Sequence, residues 1–337
     1  MIIAGEGAQR RLLEQEFPLD RFVELRGYRV RYGKNRWLTI MKISLQIPKI
    51  LIQINRENRW LKQFVRQEAP AAVIADNRYG LHNPQLRSIL ITHQLSIRTP
   101  LGKLVSLLLR HLNYRFIRPF DACWVPDYPQ VFHSLAGTLS HPAKLPETTL
   151  RYIGPLSRFE APHRVAHDID LLVLLSGAEP QRTVLEKILL GQLASHPGRV
   201  FFLRGLPGEG ALPEAPPGVT LCNHLDSAGL QELICRSRLV ISRSGYSTVM
   251  DLVRLGCKSI LIPTPGQSEQ EYLSSYLFGK KIAYQAKQES FSLSRALAGA
   301  EAFPYAMAPW DHQVLLTAAM EELDLELRQG AAGTGRK

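Results

Sequence analysis

RLVISRSGYSTVMDLVRL, residues 238–255, decides how the rest of the chain is read. Residues 238–242 form a short apolar run, the pattern of a strand buried on both faces. Residues 248–255 read as a helix. Between them stands Ser242-Arg243-Ser244-Gly245-Tyr246-Ser247-Thr248. In a doubly wound sheet, a loop that leaves a strand and opens a helix lies where ligands bind. Gly245 suits a tight turn at which backbone meets phosphate, and Ser247 and Thr248 supply cap hydroxyls and amides at the helix start. Asp251, one turn in, stands near enough to accept hydrogen bonds from ribose hydroxyls. The plainer reading makes Ser247 or Thr248 an N-cap and Asp251 an acid that suits the helix dipole. This stretch alone does not choose between the two.

Outward from it the alternation repeats. Strands are expected at residues 169–175 (IDLLVLL), 199–203, 219–222 and 259–262, and helices at 181–194, 227–235 and 269–278. The N-terminal half alternates too, with strands at 2–4, 21–25, 71–75 (AAVIA), 88–92 (SILIT) and 122–125. Its helices are expected at 8–16, 36–68 and 101–117, with Pro48 breaking or kinking the longest. The class is α/β, built on Rossmann-like sheets. A Pro-rich, irregular stretch serves as linker, so one domain is expected over 1–150, the linker over 151–168 and a second domain over 169–305. A closing helix is expected over 306–328, followed by a tail at 329–337 with too little apolar content to fold.

Two more loops in the second half leave a strand and open a helix. In Leu175-Ser176-Gly177-Ala178-Glu179-Pro180-Gln181-Arg182, Ser176 and Gly177 let backbone amides approach an anion, and Arg182 can add a charged fork. A βα turn with one glycine is more often structural. In Pro263-Thr264-Pro265-Gly266-Gln267-Ser268-Glu269-Gln270-Glu271, the amides could hold sugar hydroxyls, although a surface helix start has the same look.

Taken in order and at these separations, the three loops resemble the C-terminal donor domain of glycosyltransferase family 28, which includes the peptidoglycan N-acetylglucosaminyltransferase. Ser176, Gly177 and Arg182 match its first loop. Arg243, Ser244, Gly245, Thr248 and Asp251 match its R-S-G-x-x-T-x-x-E segment, with Asp in place of the ribose-binding Glu. Gln270 and Glu271 fall where that family has paired donor-sugar glutamines, and Glu271 departs from the pattern. The resemblance is good over 169–278 and loose over 71–126, through DNRYG and ITHQ. It implies a GT-B fold, two Rossmann-like domains facing a cleft. It also implies a nucleotide sugar, UDP-linked, with Leu225 in Asn223-His224-Leu225-Asp226 as neighbour of the uracil base. The acceptor falls to the N-terminal half, where Asp76-Asn77-Arg78 and Thr92-His93-Gln94 sit just past strands. His93 is the candidate general base, because a free imidazole titrates near the operating pH, with Asp76 beside it in the catalytic set; a structural, hydrogen-bonded histidine is the other reading. No DxD motif stands near the donor loops, the four cysteines are scattered, and neither metal nor cofactor is expected.

Lys and Arg outnumber Asp and Glu by 41 to 30, a formal charge of +11, which calls for an anionic partner. Between Asp76 and Asp121 there is no acidic residue, whereas Arg78, Arg87, Arg98, Lys103, Arg110, Arg115 and Arg118 all fall there. A second basic stretch runs through Lys34, Arg36, Lys42, Lys49, Arg56, Arg59, Lys62 and Arg66 against Glu57 alone. These cations alternate with aliphatic residues, not with stacking aromatics, so nucleic acid is not expected. An anionic membrane surface is, held by residues 37–54 and 101–120, with a lipid-linked or glycan acceptor; a core-facing helix with a solvated basic edge is the alternative for either segment. No apolar run reaches membrane-spanning length and no secretory signal opens the chain, so the expected place is cytoplasmic, peripheral on the inner face of the membrane.

Compared with the family, the chain starts at what would be the second strand. The first strand-loop-helix unit is expected to be missing, leaving a gap in the middle of a 3-2-1-4-5 sheet and little transferase activity; a diverged sheet that closes without that strand is the alternative. Three functions follow: inverting glycosyl transfer first, a UDP-sugar hydrolase or epimerase on the same fold second, and a non-catalytic nucleotide-sugar-binding or membrane-associated protein third.

Overall fold

A computed structural model describes residues 1–28, 33, 36–99, 102–160, 165–208, 210–307 and 313–334. In chain order its elements are β1 (Ile2–Gly5), α1 (Gly7–Glu16), β2 (Arg21–Glu24), α2 (Arg36–Glu68), β3 (Ala72–Asp76), β4 (Arg87–Ile91), α3 (Lys103–Ile117), β5 (Ala122–Val125) and β6 (Thr149–Tyr152). There follow β7 (Leu171–Leu174), α4 (Gln181–Leu193), β8 (Val200–Leu203), β9 (Val219–Cys222), α5 (Ser227–Arg236), β10 (Val240–Ser242) and α6 (Tyr246–Arg254). The chain ends with β11 (Ser259–Leu261), α7 (Ser268–Gly279), β12 (Tyr284–Gln285), α8 (Leu293–Ala302) and α9 (Gln313–Thr334).

Contacts divide the chain into two compact units. The larger joins Met1–Ile47 to Ser157–Pro309, and the smaller joins Pro48–Leu156 to Trp310–Lys337. Residues 1–47, expected with the N-terminal domain, thus group with the C-terminal sheet. Within the larger unit Gln181 Nε2 donates to the Gly33 carbonyl at 3.2 Å and the Ser227 amide to Glu16 at 3.3 Å. The boundary falls at Pro48, inside α2. That helix was expected to break or kink there; it is not broken, and runs on through the proline. Pro48 is exposed, so water can reach the carbonyl left without a donor one turn earlier.

The larger unit carries a six-stranded sheet in the order β12-β11-β10-β7-β8-β9, with every pair parallel. Its strands are largely apolar along their length because both faces are covered. Leu171, Val173, Phe202, Ile241 and Ile260 pack against Leu185, Leu189 and Leu193, which recur every four residues along α4. The order reverses at β7: β8 follows on one side and β10 on the other. That reversal opens the crevice at the strands' carboxyl ends where doubly wound sheets take ligands.

The smaller unit holds a four-stranded parallel sheet, β3-β4-β5-β6. On it lies α9, through Ala319 and Leu323 against Ile89, Ala122, Trp124 and Ile153, with Arg87–Glu326 and Arg151–Glu322 ion pairs alongside. This helix runs to Thr334, into the segment expected to be unstructured. Ala331 and Ala332 favour helix enough to prolong it, while residues 308–312 and 335–337 lie outside the described ones. β1 and β2 make a separate parallel pair in the larger unit, so the N-terminal half does not contribute one continuous sheet. Among the described residues β1 pairs only with β2 and β3 only with β4, and one edge of each is unpaired.

Candidate functional site

The three loops singled out in the sequence follow β7, β10 and β11, three neighbours in one sheet, so their carboxyl ends lie side by side. One buried side chain ties them together. Arg243, 1% exposed, donates from Nη2 to the Gln181 carbonyl of the first loop at 2.7 Å. Its Nη1 donates to the carbonyls of Ile262 and Pro263, in the third, at 3.2 Å each. Burial pulls the guanidinium's pKa down to about 10, with Glu289 opposing. Expected among the substrate-binding residues, Arg243 thus spends its donors on the protein's own backbone. Ser244 adds a second tie, donating from Oγ to the Gln270 carbonyl at 2.8 Å. Buried Gln181 completes the knot, accepting from Gln288 Nε2 at 3.0 Å.

Arg182 is likewise engaged inside. Only 5% exposed, it donates to Glu179 at 2.6 Å, to Thr183 at 2.7 Å and to Glu186. Glu186 is shared with Arg204, which donates to it at 2.8 and 3.0 Å and to Asn223 at 2.8 Å. The charged fork expected for phosphate is therefore committed to an Arg-Glu-Arg chain that braces the first loop.

What remains open are backbone groups. Gly177 has φ +98°, a conformation side chains rarely adopt, and a Cβ placed there would meet nothing within 4 Å. Gly245 differs. Its φ of −69° suits any residue, and a Cβ there would also meet nothing within 4 Å. Neither conformation nor packing requires a glycine at 245, so its missing side chain leaves free ground at the start of α6. No side chain caps that helix, and its first ladder bond is from the Val249 amide to the Gly245 carbonyl at 3.0 Å. Ser247 is exposed and Thr248 half-buried in that first turn, beside buried Tyr246, and the helix dipole there favours an anion.

Asp251 lies on the same face of α6, three and four residues beyond Thr248 and Ser247. Its carboxylate accepts from Ser157 Oγ at 2.7 Å and has Arg158 at 3.7 Å. Burial raises its pKa, with Ser157 and Arg158 working against the rise. In the third loop, Gln270 accepts from the Thr264 amide and Glu271 from the Gly266 amide, both at 2.9 Å. The two side chains that align with donor-sugar ligands therefore fold back and cap their own loop. Gln267 is the half-buried N-cap of α7. Leu225 is half-buried just before Asp226, the N-cap of α5, which accepts from the Gly229 amide at 2.8 Å. Ser176 and Gly177 are at the open end of β7.

In the smaller unit, Asp76 closes β3 and His93 follows β4, its neighbour. The structure brings the two within electrostatic reach: partial burial raises the Asp76 pKa and His93 pulls it back. His93 is 8% exposed. Its loop is held by Asn113 of α3, whose Nδ2 donates to the carbonyls of Gln94 and Leu95 at 2.8 and 3.3 Å. Arg78 turns to buried Glu57 at 2.7 Å. Sequence reasoning did not find Asn113, Ser157, Arg158, Glu186 or Arg204. The Arg182–Glu186 spacing was a visible signal, since residues four apart meet on a helix; the others meet their partners only through the fold. Among the described residues, no three His, Cys, Asp or Glu side chains gather as metal ligands would, and no helix is long and apolar enough to cross a membrane.

Residues 227–303 match the family model for the glycosyltransferase family 28 C-terminal domain. Among solved structures, the chain is similar to the glycotransferase of kitacinnamycin, at 14% identity and TM-score 0.62 over 96% of this chain and 90% of that one. It is also similar to the calicheamicin glycosyltransferase, at 12% identity and TM-score 0.54 over 99% and 98%. A structure assigned as UDP-N-acetylglucosamine 2-epimerase from Listeria monocytogenes matches at 12% identity and TM-score 0.55 over 95% and 85%. At these identities the likeness is one of fold. No curated protein matches the chain.

Proposed function

We propose that this chain, which carries a glycosyltransferase family 28 C-terminal domain on a GT-B fold, moves a sugar from a UDP-linked donor to a membrane-associated or cell-envelope acceptor, without a metal. The observation that carries the reading is the open ground over Gly177 and Gly245, at the switch between β7 and β10 beside an uncapped helix start. A diphosphate fits that ground. Amides of the Ser176-Gly177 turn and of the first turn of α6 donate to it and stabilise the charge that develops as the sugar leaves. The ribose then lies toward Asp251, which exchanges the Ser157 hydroxyl for a ribose hydroxyl, and the base toward Leu225. Gln267, Gln270 and Glu271 shape the sugar end of the site. The acceptor falls to the smaller unit, with His93 taking the proton of the attacking hydroxyl and Asp76 favouring the imidazolium that results. The new bond forms at the anomeric carbon as its bond to the diphosphate breaks, and UDP departs.

A Gly245→Asp variant separates this reading from a purely structural glycine. Aspartate is a better N-cap than glycine, so stability is expected to hold or rise by up to about 1 kcal/mol. A carboxylate beside the diphosphate is expected to weaken UDP binding on the order of tenfold or more. Calorimetry giving unchanged affinity would remove the start of α6 from the site. For the acceptor side, His93→Ala is expected to lower kcat by about 10²–10⁴ while leaving UDP affinity unchanged; equal loss of both would make His93 a structural residue.

A UDP-sugar hydrolase or epimerase shares the donor site and differs in what receives the sugar. The similarity to an epimerase structure keeps it as the second reading. Incubation with a panel of radiolabelled nucleotide sugars and a lipid extract distinguishes the outcomes. Labelled lipid supports transfer; free or epimerised sugar supports the second reading; binding without turnover supports a non-catalytic protein.

A further inference from the structure

Asp251 is an acid that the fold has already supplied with a donor. Its side chain is 16% exposed, and burial raises its pKa, with Ser157 and Arg158 working against the rise. The Ser157 hydroxyl donates to Oδ1 at 2.7 Å, while the Arg158 guanidinium stands 3.7 Å from Oδ2, beyond hydrogen-bond range. The hydroxyl is aimed by its own segment. Its oxygen accepts from the Phe159 amide at 3.1 Å, which leaves its one proton for Asp251. Phe159 is 3% exposed and anchors the turn, Arg158 lies over its ring at 5.1 Å, and the Glu160 amide donates to Gln231 of α5 at 3.3 Å. Residues 157–160 are thus fitted to the larger unit before any ligand arrives. A tether for this segment is the plain use of the Ser157 bond. The carboxylate it holds is also the one assigned to the ribose.

We propose that Ser157 sets the donor site's tolerance for the nucleotide's pentose, so that 2′-deoxyribonucleoside diphosphate sugars are taken as well as ribonucleoside ones. A site built to bond a substrate hydroxyl ordinarily rejects the analogue that lacks it, because a buried polar group is then left unpaired. Here that group has a second donor. When a ribose arrives, its hydroxyl replaces the Ser157 hydroxyl on Asp251. One bond is exchanged for another, and little affinity is gained. When a pentose without that hydroxyl arrives, Ser157 stays on Asp251 and no bond is lost. Ser157 is therefore a specificity-determining residue that acts by lowering specificity. The inference rests on the donor-site reading above and concerns the ribose end of that site alone.

The test is calorimetry of UDP, 2′-deoxy-UDP and 2′,3′-dideoxy-UDP on the full chain and on its Ser157→Ala and Ser157→Thr variants. The parent is expected to bind all three ligands within about threefold of one another. In Ser157→Ala the carboxylate has lost its serine donor before binding, so the ribose hydroxyl brings a bond that nothing replaces. UDP is then expected to bind tighter on the order of tenfold, because hydrogen bonds to charged groups are the stronger ones. The dideoxy ligand gains no bond in either protein, and its affinity is expected to change by less than about twofold. Ser157→Thr keeps a hydroxyl and should bind as the parent does. A tether with no part in specificity would move all three affinities alike and leave their ratios unchanged. Ser157 is half-buried, and a thermal melt checks that each variant is folded. A parent that binds the dideoxy ligand on the order of tenfold or more weaker than UDP would overturn the proposal, and so would unchanged ratios in Ser157→Ala; both results leave the donor site standing. A parent that binds none of the three ligands would overturn the donor site, and this inference with it.

Discussion

An Arg243→Lys variant is expected to lose about 2–4 kcal/mol of stability and, on the order of tenfold or more, its affinity for UDP, and to do no better than Arg243→Met. The guanidinium reaches carbonyls of two loops at once, at 2.7 Å to Gln181 and 3.2 Å to Ile262 and Pro263. A lysine offers a point donor on a shorter lever and leaves at least one carbonyl without a partner, at about 1–3 kcal/mol for each. It also keeps the buried charge. That charge is disfavoured by folding: the guanidinium's pKa falls from 12.5 to about 10, so the penalty is present at every pH below about 10 and fades above it. The shift corresponds to about 3 kcal/mol, which methionine recovers and lysine does not. Methionine takes the donor from all three carbonyls and leaves those of Ile262 and Pro263 without it, while the Gln181 carbonyl, in the first turn of α4, keeps its place in the helix ladder, so the two substitutions arrive at similar losses by different routes. Urea unfolding and UDP calorimetry on both variants give the answer. A lysine variant as stable and as tight-binding as the parent would show that the knot rests on something other than the fork.

The placement of the loops was legible in the sequence, and the work their side chains do was not. Short apolar strands, each followed by a polar turn and a helix, fix a parallel sheet, and the order of such a sheet puts the turns after β7, β10 and β11 together. Nothing in the spacing of Arg243 says whether its guanidinium points out toward a phosphate or in toward three carbonyls. That depends on where Gln181 and Pro263, which follow other strands, come to lie. Gln270 and Glu271 give the same lesson: aligned with sugar ligands, they hold the amides of Thr264 and Gly266 instead. The glycines behaved in the opposite way. Gly177 and Gly245 looked alike in sequence, and only the backbone angles separate a glycine that its turn demands from one that nothing inside the protein demands.

The division of the chain was the least legible feature. A Pro-rich, irregular stretch between the two alternations of strand and helix suggested a boundary near residue 150. Contacts instead assign Met1–Ile47 to the unit that holds the C-terminal sheet, and α9 to the unit that holds β3 to β6. Both assignments come from residues far apart in sequence, such as Glu16 with Ser227 and Arg87 with Glu326. Local patterning carries no trace of such pairs.

Asp127 shows how far such hidden dependence goes, and its removal should be the most damaging single change in the smaller unit. Just past β5 and fully buried, its carboxylate accepts from the amides of Tyr128 and Leu135 at 2.9 Å and of Ala136 at 3.2 Å. It also accepts from the hydroxyls of Ser134 and Ser140, both at 2.5 Å. Ser134 in turn accepts from the Gly137 amide at 2.7 Å, so one carboxylate organises the loop from 127 to 140. Asp127→Ala leaves three buried amides without an acceptor, and at about 1–3 kcal/mol each the expected loss is at least about 3 kcal/mol, a large share of a domain's stability. Asp127→Asn should be milder, at about 2–3 kcal/mol. Its remaining oxygen can keep Tyr128 and Leu135 while its NH₂ faces two serine hydroxyls that can rotate to accept, which orphans only the Ala136 amide. The order Ala worse than Asn is therefore expected in urea unfolding, with UDP affinity unchanged in whatever fraction stays folded, because the donor loops belong to the other unit. Equal losses for the two variants would mean that the buried charge, and not the set of bonds, holds the loop.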